Sequence, residues 1–219
     1  MYWQTAAQMV SNVEAIEAGG SLTQYNMIGK KRPAPGISGS HHLFDHWVLA
    51  DIQLDDGNAI KGQYLNLDLQ DGEIEVPYGD DIRVLHREKI KSFTAAGRTF
   101  VNADYLGSPA HKGAFFEVME VGNIGVYCRY YSDVRPPTYV PGLAVGDRDY
   151  KVIIKKSFLV KAHTSLEAFA HDKKGNRSYF NDSPQTVAYI RQEKLRLNRI
   201  DDFIQAVRYY NRVAKVRVK

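Results

Sequence analysis

Val48-Leu49-Ala50-Asp51-Ile52-Gln53-Leu54, followed by Asp55-Asp56-Gly57 and then by Asn58-Ala59-Ile60-Lys61-Gly62-Gln63-Tyr64, has the pattern of two strands joined by a tight turn. Val48, Ala50, Ile52 and Leu54 place an apolar side chain at every second position, with Asp51 and Gln53 between, which is the period of a sheet with one buried face. Asp56-Gly57 suits a tight hairpin, because the central residues of a type I′ turn need positive φ. Ile60, Gly62 and Tyr64 continue as the returning strand.

The same grammar recurs outward from this hairpin. Asp71-Gly72 separates Leu65/Leu67/Leu69 from Ile74/Val76, and Gly122-Asn123 separates Phe116/Val118/Glu120 from Ile124/Val126/Cys128/Tyr130. Parallel neighbours need crossovers of about a dozen residues or more, so closely spaced hairpin signals predict antiparallel pairing. Further strands are expected at 82–86, 89–94, 99–104, 150–155 and 158–163, giving roughly eight to ten in all. The expected class is α+β, mainly β: an antiparallel β-meander, as a curved sheet or partly closed barrel, followed by C-terminal helices.

Helical spacing appears only at the two ends. Ala6, Met9, Val10, Val13 and Ile16 predict a short helix over 5–18, stopped by Gly19-Gly20, and the Gly/Pro-rich stretch 21–40 reads as an extended arm. Asp182-Ser183-Pro184 is a helix entry, and Asn198 is placed to cap a last helix with Asp201 and Asp202 in its first turn. Phe203, Ile204, Val207, Tyr210 and Val213 form one stripe that is expected to dock on the sheet or a neighbouring helix. The division is therefore 1–40 N-terminal helix and arm, 41–163 antiparallel β domain, and 164–219 basic helical segment packed on the sheet.

Charge narrows the partners. The net charge is +4, yet residues 186–219 alone carry nine Lys/Arg against three Asp/Glu, so a polyanion would have to bind there. One cysteine, Cys128, excludes an internal disulfide framework and a multi-cysteine zinc site within one chain. No run approaches the ~18 apolar residues of a membrane span, and Met1 to Val13 carries no basic leader followed by an apolar run.

From about residue 39 onward the order of features resembles an uncharacterised family of small, often exported bacterial β-rich proteins. The resemblance rests on Gly39-Ser40 before Leu43-Phe44-Asp45, Leu54-Asp55-Asp56-Gly57, Lys89-Ile90-Lys91-Ser92-Phe93-Thr94, Phe115-Phe116-Glu117-Val118 and Tyr209-Tyr210-Asn211. It implies export, hence an extracellular or periplasmic rather than a cytoplasmic location, and it brings no activity with it.

Candidate sites are few. His41, His42, Asp45 and His46 are side chains that bind zinc-like metals, although an ordinary polar strand entry is the favoured reading of them. Asp80-Asp81 with Glu73 and Glu75 makes an acidic patch that turn chemistry accounts for, with no sign of burial. Cys128 reads as a small buried hydrophobe. Tyr127, Tyr130 and Tyr131 interleave with arginines, and Arg208, Arg212, Lys215, Arg217 and Lys219 line the tail, a composition suited to a stacked, polyanionic ligand. No Gly-x-Ser-x-Gly elbow, phosphate loop or dinucleotide fingerprint occurs, and no cofactor is implied. The expected function is a non-catalytic binding or structural protein, exported or envelope-associated, that contacts a protein partner or itself. The alternatives are polyanion or nucleic-acid binding by the tail, and an enzyme whose site is assembled from distant residues.

Overall fold

The computed structural model describes residues 36–139, 142–143, 145–163 and 165–217, so the helix expected over 5–18 and most of the arm lie outside the described residues. The protein is mainly β, and its one large sheet stays open. Its strands are β1 (Ile37–Ser38), β2 (Val48–Leu54), β3 (Ala59–Asp68), β4 (Glu73–Tyr78), β5 (Asp81–Leu85), β6 (Ile90–Ala95), β7 (Arg98–Asn102), β8 (Phe115–Glu120), β9 (Ile124–Arg135), β10 (Tyr150–Ala162) and β11 (Ser165–Ala168). In space they run β1-β10-β9-β8-β7-β6-β2-β3-β4-β5, with β11 also on β10.

The predicted hairpins are present, with Gly57 and Gly72 at positive φ and Gly79-Asp80 turning β4 into β5. The antiparallel meander is present as well, in two runs. β2 pairs with β3 on one edge and with β6 on the other, so two meanders meet at β2. The chain must therefore leave β5 and return to the middle of the sheet. Buried Asn102 secures that return: its amide nitrogen donates to the Arg87 and Ile90 carbonyls, and its oxygen accepts from Asp104 N–H.

Two more differences have physical causes. The segments expected as separate strands at 150–155 and 158–163 are one thirteen-residue strand, because Lys155-Lys156-Ser157 is polar without being a turn signal. The end of the arm is also structured, since Ile37–Ser38 pairs with β10 as the one parallel contact of the sheet among the described residues.

Alternation buries one face as predicted. Val48, Ala50, Ile52 and Leu54 join Leu65, Leu67, Ile74, Val76, Phe93 and Phe100 in one core. Phe93 and Phe100 stack with ring centroids 4.7 Å apart, and Phe44 meets Phe100 edge to face at 6.2 Å.

Three helices close a second core against β9 and β10: α1 (Lys173–Ser178), α2 (Pro184–Gln192) and α3 (Ile200–Arg217). Ser183 caps α2 and Pro184 opens it, as expected. The last helix begins at Ile200, so the cap expected at Asn198 is displaced, and Asp202 instead accepts the Arg196 N–H. Phe203, Ile204, Ala206, Val207 and Tyr210 pack on Ile124, Val126 and Val160.

One buried side chain ties α3 to the sheet. Asn211 Oδ1 accepts the Ile124 N–H, and its Nδ2 donates to the Ile124 carbonyl at 2.8 Å and the Val121 carbonyl at 3.3 Å. Gly122 makes room for this contact, because a Cβ there would overlap the Asn211 amide. Asn211→Ala strands both polar groups of Ile124, so it should lower stability by about 2–4 kcal/mol, and Gly122→Ala should also destabilise. Urea unfolding checks both, with exposed Arg212→Ala as a near-neutral control.

Candidate functional site

Of the candidate metal ligands at 41–46, one, His42, is brought onto other ligand-type side chains. Phe44 turns the chain into a corner that Asn66 holds, its Oδ1 accepting the Phe44 N–H and its Nδ2 donating to the Phe44 carbonyl at 2.8 Å. Residues 41–43 run beside the end of β3, with Leu43 N–H bonded to the Leu67 carbonyl and His42 bridged to Asp68. This brings His42 onto Asp68 and Glu75. The ligand atoms of the three lie within 4.8 Å of one another, the only such cluster of three among the described residues.

Burial distinguishes this cluster from a solvated acidic patch. Glu75, expected to be at the surface, is 0% exposed and Asp68 only 6%. His42 Nε2 sits 2.7 Å from Glu75 Oε2, and its Nδ1 sits 2.9 Å from Ser40 Oγ, so both ring nitrogens are engaged. Asp68 Oδ1 also accepts the N–H groups of Gln70 and Asp71, which fixes the β3–β4 turn.

The other residues of that stretch go elsewhere. His41 Nδ1 lies 2.8 Å from Ser132 Oγ, while Asp45 and His46 are exposed at the bend before β2. Sequence spacing could not show the true neighbours of His42, which come from 26 and 33 residues downstream through the β3–β4 hairpin.

A second polar network fills the inner face of the sheet. Arg98 grips Glu117 with two bonds, at 2.8 and 2.9 Å, and the Tyr130 hydroxyl donates to the same carboxylate at 2.6 Å. Burial works to raise the Glu117 carboxyl, but the Arg98 and Tyr130 hydrogen bonds outweigh it and hold the group below its ordinary value. Burial pushes the Cys128 thiol up to about 11, which suits a core residue and not a nucleophile.

The tyrosines of the aromatic row have neighbours within the fold. Tyr127 is buried with Phe116 and Leu159, Tyr130 serves Glu117, and Tyr131 is half-buried beside Arg129. Of the basic tail, Arg208 is bonded to Glu120 at 3.1 Å, and Arg212 lies against the Tyr209 ring, which itself stacks on Tyr189. The side chains of Lys215, Arg217 and Lys219 lie outside the described residues.

Two surface features remain. An open cleft of about 690 Å³ lies where the β8–β9 and β10–β11 turns meet the helices, lined by Asn123, His163, Ser165, Tyr179, Asp182 and Tyr210. Tyr210 donates its hydroxyl to Asp182 at 2.7 Å, so these two groups are engaged with each other.

The second feature is the outer edge of β10. β1 occupies residues 150–151 of that edge and β11 occupies 159–162. Tyr150 N–H and the Phe158 carbonyl bond outward, to Gly36 and Phe169, so the even-numbered residues of β10 direct their backbone groups to this edge. Among the described residues no strand covers 153–157. Beside this gap Ile154, Tyr150 and Val134 expose 42, 48 and 44% of their surface on one face of the sheet.

No family model, no curated protein and no solved structure matches this chain. No helix among the described residues is long and apolar enough to cross a membrane.

The native Cys128 thiol should resist a disulfide reagent at mildly alkaline pH and react fully in urea; rapid native labelling would contradict its placement. Because the folded Glu117 value is depressed, its stabilisation is present above the unfolded value of about 4.3 and is lost as pH falls through the folded one. Glu117→Gln should therefore lower stability at neutral pH and flatten its fall below about pH 4, measured by urea titrations across the acid range.

Proposed function

We propose that the protein is a non-catalytic binding and assembly protein that associates through the outer edge of β10, with a second copy of the chain as partner. The observation that carries this reading is the gap that the described residues leave between β1 and β11, with outward backbone groups at Ile154 and Lys156 beside an exposed apolar row. Unpaired edges recruit further strands. Lysines usually guard such edges by keeping a charge in the way. Here both guards are occupied: Lys155 is ion-paired with Asp133, and the Lys156 ammonium lies 5.2 Å over the Tyr130 ring.

A second copy suits this edge because antiparallel pairing of a strand with itself closes a two-fold dimer. Centred on Lys155 and confined to 153–157, it sets Ile154 of each copy opposite Lys156 of the other and diagonal to the other Ile154. The location we favour is outside the cytoplasm, on the family resemblance of residues 39–211.

Sedimentation at rising concentration tests the proposal. The wild-type chain should form a dimer, and Ile154→Glu and Lys156→Pro should both be monomeric with unchanged far-UV dichroism. Proline is tolerated at position 156 because its N–H faces outward. A wild-type monomer at every concentration, or a dimer indifferent to both substitutions, overturns the assignment. Salt-sensitive retention of single-stranded nucleic acid by such a monomer would favour the tail instead.

A further inference from the structure

The geometry points to a divalent transition-metal site, Zn²⁺ by preference, built from His42 Nε2, Glu75 and Asp68. Three observations converge on it, independent of the β10 edge.

The donor set is the first. One imidazole nitrogen and two carboxylates suit a borderline divalent ion, whereas the imidazole disfavours Mg²⁺ and Ca²⁺, which take oxygen ligands. The spacing is the second. Tetrahedral Zn²⁺ with bonds of about 2.0–2.1 Å needs ligand atoms roughly 3.3 Å apart. Here the His42–Glu75 separation is 2.7 Å and none of the three exceeds 4.8 Å, so side-chain rotations of under about 2 Å suffice.

The outer shell is the third. Metal-binding histidines commonly donate their other ring N–H to a polar group, which fixes the tautomer and aims the free nitrogen. Ser40 Oγ stands 2.9 Å from His42 Nδ1 and also accepts the His42 backbone N–H, so the ring is aimed at the carboxylates from behind. Asp68 is fixed in turn by the Gln70 and Asp71 N–H groups.

The three ligands come from three segments held by the β3–β4 hairpin and the Asn66 corner, so the site is formed by folding. Its carboxylate floor is buried and its histidine side is 33% exposed. Three protein ligands with solvent at the fourth position would leave the metal able to bind a further ligand. On binding, the proton shared between His42 Nε2 and Glu75 Oε2 passes to solvent and the metal takes its place.

The test uses the full chain, stripped with a chelator and titrated calorimetrically with Zn²⁺ alone. One equivalent should bind, and His42→Ala, at the half-open position, should weaken binding by roughly ten-fold or more while remaining folded. Glu75→Gln should act similarly, but burial puts its folding at risk. A second measurement on the wild-type chain therefore stands beside the variants: Mn²⁺ should broaden the amide resonances of His42, Asp68 and Glu75 before all others. No binding of one equivalent, undiminished Zn²⁺ affinity in His42→Ala, or Mn²⁺ broadening centred elsewhere would each show the cluster to be a buried ion pair only.

Discussion

Strand β2 is hydrogen-bonded along both edges, and the burial of Val48, Ala50, Ile52 and Leu54 on one side of it fixes everything laid against it. A one-residue slip would turn that whole set to solvent, so the registers of β3 and β6 are not free to vary. The β3–β4–β5 meander hangs from one edge of β2 and the remaining strands from the other. The corner at Phe44, held by Asn66, depends on that placement, and so does the approach of His42 to the end of β3.

The fold was legible where local pattern and turn chemistry agree. Asp56-Gly57, Asp71-Gly72 and the alternation around them report directly on nearest neighbours in space, and Ser183-Pro184 reports on a helix start. The β2–β6 pairing was not legible, because alternation says which face a strand buries and not which strand lies beside it. The role of Asn211 was hidden for a related reason. A polar residue at the end of an apolar stripe carries no sign that it will meet the β8–β9 turn, although Gly122 opposite it is the trace of that contact.

The candidate site was half legible. His42 stood out by residue type, yet its neighbours in sequence were misleading: Asp45 and His46 face solvent, and His41 turns to Ser132. Glu75 read as a surface acid because Glu73-Ile74-Glu75-Val76 alternates like an ordinary strand. Its burial comes from a tertiary event, the chain at 41–43 crossing beside β3. The surroundings of the interleaved tyrosines were not legible, because an inward tyrosine with a hydroxyl partner, as Tyr130 has in Glu117, carries the same sequence pattern as an outward one.

Native-state hydrogen exchange reads the shared strand and the open edge together. The amides of β2 and β6 should be the slowest in the protein, and those of Ile154 and Lys156 fast in dilute solution and protected as concentration rises. Slow exchange at Ile154 and Lys156 in dilute solution, or β2 amides that exchange like an edge strand, would contradict this arrangement.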